Sequence, residues 1–164
     1  MSLSVLITQC LQRDFVEPIE RHEPLPNRLH VGWQEAARLA GEDPDTGPVA
    51  QLLTWAQGKD RADLGLVHVL DWHDPADPRQ ARHLEHFGPH CLKDTRGATL
   101  VAGLVPGVGE HIVHSIALND FEGTRMSEVL DQLREQSDDG TLRVGVVGVW
   151  TEAKVTFLLY DLAT

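Results

Sequence analysis

The chain has 164 residues, of which 41% are hydrophobic, which is enough for one domain with an apolar core. Its formal net charge of −11 repels phosphate backbones, so we do not expect nucleic-acid binding. No stretch approaches the about 20 apolar residues that cross a bilayer, and two cysteines are too few for a disulfide framework, so we expect a cytoplasmic protein outside the membrane.

Short apolar runs alternate with segments of helical period along the whole chain. In chain order, the pattern predicts a buried strand at 4–8, helices near 31–39 and at 48–57, strands at 64–70 and 110–115, a helix at 126–133, a strand at 142–149 and a final helix at 155–162. This alternation is typical of an α/β fold with a parallel sheet and helices on both sides. We find no linker or repeat, and predict a single domain over 1–164.

Polar residues follow the predicted strands, where parallel sheets bind their ligands. Asp71 and His73 form an Asp-x-His pair after the second predicted strand, and His90 lies downstream. A carboxylate and two imidazoles can hold a divalent metal if the chain folds back so that His90 meets the pair. The alternative is that these side chains line a cleft and are satisfied by hydrogen bonds.

The other histidines and a glycine-rich segment are weaker indications of a functional site. We interpret four histidines in polar surroundings as solvated or structural (His22, His30, His83 and His86), and His68 as a hydrogen-bonded core residue because it lies within a predicted strand. The glycine-rich segment 103–109 lacks the Lys-Ser/Thr of a phosphate loop and is predicted to be a turn.

Five short motifs, taken together in this order, resemble the isochorismatase-like cysteine hydrolases, the superfamily that includes nicotinamidases. They are Cys10-Leu11-Gln12-Arg13-Asp14-Phe15, Asp71-Trp72-His73, the segment 90–98 that begins His90-Cys91-Leu92, Phe121-Glu122-Gly123-Thr124 and Gly148-Val149-Trp150-Thr151. The resemblance implies a three-layer α/β/α fold with a Rossmann-like, mostly parallel sheet.

The family uses an Asp, a Lys and a nucleophilic Cys, and this sequence has other residues at all three positions. The Asp position falls on Cys10, the Lys position on His114 or Ser115, and the Cys position on Lys154. A Lys amine has an ordinary pKa of about 10.4, so it is mostly protonated at neutral pH and is a poor substitute for a thiolate. The family's metal ligands carry over to Asp71, His73 and His90, which implies a divalent metal such as zinc and no other cofactor.

These substitutions leave three interpretations open. The domain has lost the family's amidase activity, or it retains a binding role towards a small molecule or a partner. The third interpretation is a rearranged hydrolase of a small amide-like substrate, in which Cys10 is the nucleophile, Lys154 lowers its pKa and His114 is the base. A bound metal could also assist hydrolysis without the Cys.

The last predicted helix closes the chain, whereas the family continues with further strands of the same sheet. We therefore expect either a fragment of a longer protein or a missing edge that another subunit supplies. An unpaired hydrophobic strand favours association, so we predict a homo-oligomer.

Overall fold

The computed structural model describes residues 2–103 and 105–164, and within them four strands form one sheet in the order β3-β2-β1-β4. The strands are β1 (Leu3–Gln9), β2 (Leu64–Asp71), β3 (His111–Ser115) and β4 (Leu142–Gly148). β1 pairs in parallel with both β2 and β4. All four predicted strands are confirmed, and so is the α/β class.

Six helices accompany the strands in the described part of the chain. They are α1 (Arg13–Val16), α2 (Gly32–Ala40), α3 (Pro48–Gln57), α4 (Ala81–Phe87), α5 (Met126–Gln136) and α6 (Thr156–Ala163), with a 3₁₀ turn at Arg96–Ala98 and a π-helical turn at Thr151–Val155. The four predicted helices are confirmed. The helices α1 and α4 were not predicted, because α1 has only four residues and α4 buries none of its side chains, so neither carries an apolar stripe. None of the described helices is both long and apolar enough to cross a membrane.

The chain forms two compact units, each assembled from separate segments. The sheet unit comprises Met1–Cys10, Trp55–Leu70 and Pro106–Thr164, and the histidine unit comprises Leu11–Thr54 and Asp71–Val105. The single domain over 1–164 stays a prediction. Leu104, within the predicted turn at 103–109, lies outside the described residues.

The sheet unit has a core on both faces of the sheet because side chains alternate along a strand. On one face Leu3, Val5 and Ile7 of β1 pack with buried residues of α5 and α6. On the other face Leu6 packs against a smaller cluster made by Ala56, Leu64 and Leu66. Apolar cover on both faces is the three-layer arrangement that the sequence predicted.

In the histidine unit, hydrogen bonds between side chains and the backbone connect segments that lie outside the sheet. Gln12 exchanges two hydrogen bonds of 2.7 Å with the backbone of Asp71, and its Nε2 also donates to the carbonyl of Ala98 at 2.8 Å. Asp14 accepts a hydrogen bond of 2.6 Å from the backbone N–H of Cys91. Buried Gln12 therefore connects Asp71, the last residue of β2, to Ala98, the last residue of the 3₁₀ turn.

Candidate functional site

Two backbone segments of the histidine unit run side by side and bring His73 next to His90. The N–H of His73 donates to the carbonyl of Cys91 at 3.0 Å, and the N–H of Lys93 donates to the carbonyl of His73 at 2.8 Å. His73 and Leu92 thus form a parallel bridge. The two imidazole rings lie 4.6 Å apart between centroids. The chain folds back as a shared metal site requires.

Asp71, the last residue of β2, faces both imidazoles. Its Oδ2 lies 3.7 Å from His73 Nε2 and 3.8 Å from His90 Nε2, and all three side chains are buried. A carboxylate oxygen and two imidazole nitrogens therefore face one another at the separations expected of ligands around a common ion.

Hydrogen bonds on the far side of each ring set which nitrogen carries the proton. His73 Nδ1 lies 2.9 Å from Gln80 Oε1, which also accepts from the N–H of Asp74, and His90 Nδ1 lies 2.7 Å from the carbonyl of Gly88. Because both partners are acceptors, each Nδ1 is the donor, and in the neutral ring the lone pair is therefore on Nε2. Orientation of this kind is the usual support of a metal-binding histidine.

His73 Nε2 is the buried polar atom that most directly indicates a ligand. It is shielded from solvent and has no hydrogen-bond partner. Buried polar atoms are nearly always paired, and a metal ion would satisfy this lone pair. The residues present therefore fit a divalent metal.

His83 joins this cluster, contrary to the interpretation of this half-buried residue as merely solvated or structural. Its Nε2 lies 3.4 Å from His90 Nε2, and its ring stacks on that of His73 with centroids 4.7 Å apart. The ligand nitrogens of His73, His83 and His90 all lie within 4.8 Å of one another. The sequence missed His83 because it lies on α4, away from any strand end.

In the sheet unit, Cys10, which the sequence resemblance aligns with the family's Asp, directly follows β1. The residue is 1% exposed and has a left-handed backbone with φ of 53°. Its N–H donates to the carbonyl of Val69 at 2.9 Å, and Gln9 Nε2 donates to its Sγ at 3.1 Å. The thiol therefore accepts a neutral amide donor and is shielded from solvent.

Lys154, which the sequence resemblance aligns with the family's nucleophilic Cys, forms a buried ion pair. It lies in the π-helical turn after β4, and its Nζ is 3.1 Å from Asp120 Oδ1 and 3.0 Å from Ser115 Oγ. Asp120 and Ser115 are fully buried, and Lys154 is 5% exposed. Since β3 and β4 are the two edge strands of the sheet, this contact joins the end of β3 to the turn that follows β4.

His114 and Ser115, the two alternatives that the sequence left for the family's Lys position, lie in different surroundings. Ser115 contacts Lys154, whereas the neighbouring side chain of His114 points to the other face of β3 and is exposed. Partial burial lowers the pKa of His114 below its usual 6.5. Asp120 was missed, because nothing in the sequence pairs it with Lys154, 34 residues away.

His68 is the hydrogen-bonded core residue that the sequence predicted. Its Nδ1 lies 2.8 Å from Thr8 Oγ1, and its Nε2 lies 3.0 Å from Glu110 Oε2, which also accepts from Gln57. Burial lowers the pKa of His68, an effect that outweighs the nearby carboxylate. This cluster lies inside the sheet unit and is structural.

The comparisons with known proteins agree with this architecture. No protein-family model and no curated protein sequence matches the chain. Among solved structures, the chain is similar to an isochorismatase-like hydrolase from Alkaliphilus metalliredigens, at 24% identity and a TM-score of 0.68 over 99% of this chain and 76% of that one. It is similar to the N-carbamoylsarcosine amidase of Thermoplasma acidophilum, at 20% identity and a TM-score of 0.65 over 98% and 75%.

A third similar structure is the pyrazinamidase of Pyrococcus horikoshii in complex with zinc, at 21% identity and a TM-score of 0.62 over 98% of this chain and 78% of that one. The chain therefore has the fold of the isochorismatase-like hydrolases, as the five motifs predicted. It spans about three quarters of the length of these neighbours. At this level of identity, the likeness establishes the fold alone.

Proposed function

We propose that this chain is a divalent-metal-binding domain with a hydrolase fold, that it recognises a small ligand, and that it lacks Asp-Lys-Cys amidase activity. The observation that carries the proposal is the orphaned, buried Nε2 of His73 within the cluster formed by Asp71, His83 and His90. We assign the four side chains as ligands of zinc or a similar ion. When bound, such an ion polarises a carbonyl or lowers the pKa of a bound water.

The lysine cluster supports the loss of thiol chemistry. A nucleophile at position 154 would need a free lone pair, but Lys154 Nζ contacts the carboxylate of Asp120 and the hydroxyl of Ser115, which favours the protonated amine. Cys10 is 1% exposed and its Sγ accepts a hydrogen bond from the neutral amide of Gln9, whereas reactive thiols are typically partly exposed.

The zinc complex of the similar pyrazinamidase supports the choice of metal. The cluster contains a carboxylate and imidazoles, which are common zinc ligands. The Nδ1 atoms of His73 and His90 donate to Gln80 Oε1 and to the carbonyl of Gly88, which orients the two rings. Side chains that merely line a cleft would not need both rings to present lone pairs to a common point.

Metal analysis and activity assays on the purified chain test the proposal. We expect one tightly bound zinc per chain after incubation and dialysis, and none in Asp71→Ala. We also expect no ammonia release from nicotinamide, pyrazinamide or N-carbamoylsarcosine, with or without zinc. A chain that stays metal-free under saturating zinc would overturn the metal assignment.

Turnover in the same assay would overturn the loss of activity, and two variants would then identify its origin. Loss of turnover in Cys10→Ser would favour the rearranged thiol enzyme, and loss in Asp71→Ala would favour metal-assisted hydrolysis. The predicted self-association and cytoplasmic location stay predictions, and light scattering of the purified chain tests the first.

A further inference from the structure

Two arginines of the histidine unit differ from most of the others in the chain. Six arginines lie within ion-pair distance of a carboxylate: Arg13, Arg38, Arg79, Arg96, Arg125 and Arg134. Arg28 and Arg82 form no ion pair in the described part of the chain, as is also the case for Arg21, Arg61 and Arg143, but only Arg28 and Arg82 line one cavity. Their positive charges are therefore available to a ligand.

Arg28, and Arg82 of α4, both line the same cavity. The cavity has a volume of about 680 Å³, and its other lining residues are His83, Glu85, His86 and Phe87. This volume lies within the range of about 300 to 1,000 Å³ that is usual for small-molecule sites. With two guanidinium groups and one carboxylate, the lining is net positive in a chain whose net charge is −11.

Arg28 is held in place at this cavity. Its Nη1 donates to the carbonyl of His86 at 3.3 Å, near the end of α4. Arg28 also lines a second cavity of about 510 Å³, together with Asn27, Gly88 and Pro89 among others. Arg28 thus lines two concave surfaces.

Aromatic rings provide the apolar part of the lining. The ring of Phe87 lies 4.8 Å from that of His83 and 4.6 Å from that of His86, measured between centroids. An apolar wall beside two cationic side chains matches an organic molecule that carries an anionic group.

We propose that this cavity binds a small organic anion, with its carboxylate or phosphate oxygens held by Arg28 and Arg82. The planar guanidinium fork matches both groups, and hydrogen bonds to charged partners are roughly twice as strong as neutral ones. The site goes beyond the proposed metal function and does not require the metal, although His83 belongs to both.

Calorimetric titration of the chelator-treated, full-length chain tests this site. Malonate and inorganic phosphate are the two probes, since they carry the two candidate groups without other functionality. We expect saturable binding of at least one probe, and about a 10-fold loss of affinity in Arg28→Gln and in Arg82→Gln, as expected for a lost charged hydrogen bond. The tighter probe identifies the anionic group. Thermal melting of each variant checks that it folds.

Arg143→Gln is the matched control, because it removes the same charge from an exposed position on β4. Its affinity should stay within about 2-fold of the wild type. An equal loss in this control would show general charge attraction and overturn the proposal, as would the absence of binding of both probes. Zinc affinity is measured in parallel, so a chain that binds zinc but neither anion fails here alone, and one that binds an anion but no zinc contradicts only the metal assignment.

Discussion

The histidine unit and the sheet unit both place polar side chains after the ends of strands, but the two sets differ in how their atoms are satisfied. In the histidine unit, two imidazoles are held by acceptors on one side and present lone pairs on the other. In the sheet unit, the ammonium group of Lys154 already contacts a carboxylate and a hydroxyl. The histidine cluster can therefore bind a cation, whereas the Lys154 cluster already contains one.

This difference shows that the type of a residue does not reveal its role. A histidine cluster with an orphaned nitrogen indicates a ligand from outside the chain. A buried lysine with an acidic partner indicates internal compensation of charge. Four predictions test the contrast, in order of decreasing expected effect.

Lys154→Met should cause the largest loss of stability. The substitution leaves the fully buried carboxylate of Asp120 without its cation, and breaking a buried pair in this way costs about 3–5 kcal/mol. Urea-induced unfolding measures the loss. The double variant Lys154→Met with Asp120→Asn should recover most of it, because the unpaired charge is gone. An unchanged unfolding midpoint in the single variant would show that no such pair forms in solution.

His73→Gln should abolish tight zinc binding without a comparable loss of stability in the metal-free chain. Removal of a direct ligand is expected to weaken zinc by about 100-fold or more, whereas Gln80→Ala, which removes only the partner of His73 Nδ1, should weaken it by about 10-fold. Competition with a zinc-binding dye gives both values. Equal affinities in the wild type and His73→Gln would remove the metal site.

Gly97→Ala should disturb the backbone that supports the histidine unit. A Cβ at this position would lie 2.2–2.4 Å from the carboxyl atoms of Asp14, which accepts the hydrogen bond from Cys91. Overpacking of this kind costs about 1–3 kcal/mol. Gly145→Ala on β4 is the control, since nothing lies within 4 Å of its Cβ. The two variants should differ in thermal midpoint, and equal midpoints would contradict the close approach.

The pH dependence of unfolding should show the smallest effect, through His68 and Glu110. Burial lowers the pKa of His68 below 6.5. Burial would raise the pKa of Glu110, but hydrogen bonds from Gln57, the Gly107 backbone and His68 outweigh this and leave it below 4.5. Both groups bind protons more readily when unfolded, so their contribution is complete above pH 6.5 and is lost as the pH falls through the folded-state pKa values.

The variant His68→Gln isolates this effect in the metal-free chain. Its free energy of unfolding should change less between about pH 7.5 and pH 5.5 than that of the wild type. His22→Gln, at an exposed position, should behave like the wild type. Identical pH dependence of all three proteins would mean that His68 is not buried beside Glu110 in solution.

Much of the fold could be predicted from local patterns. The helix at 48–57 has the predicted bounds, and the four strands end within one residue of their predicted positions, because apolar period and turn residues are properties of neighbouring positions. The short α4 escaped prediction because it buries no side chain, and it carries His83 into the candidate metal site.

The sequence by itself determined the α/β alternation and predicted Asp71, His73 and His90 as candidate ligands, since the first depends on local patterns and the second on residue type and on the family resemblance. Only the tertiary structure decided that His83 joins them, that Ser115 contacts Lys154 while His114 is exposed, and that Asp120 neutralises the lysine. The physical reason is that ion pairs and ligand clusters depend on distances of 3–4 Å between side chains far apart in the chain, and no local pattern encodes such distances.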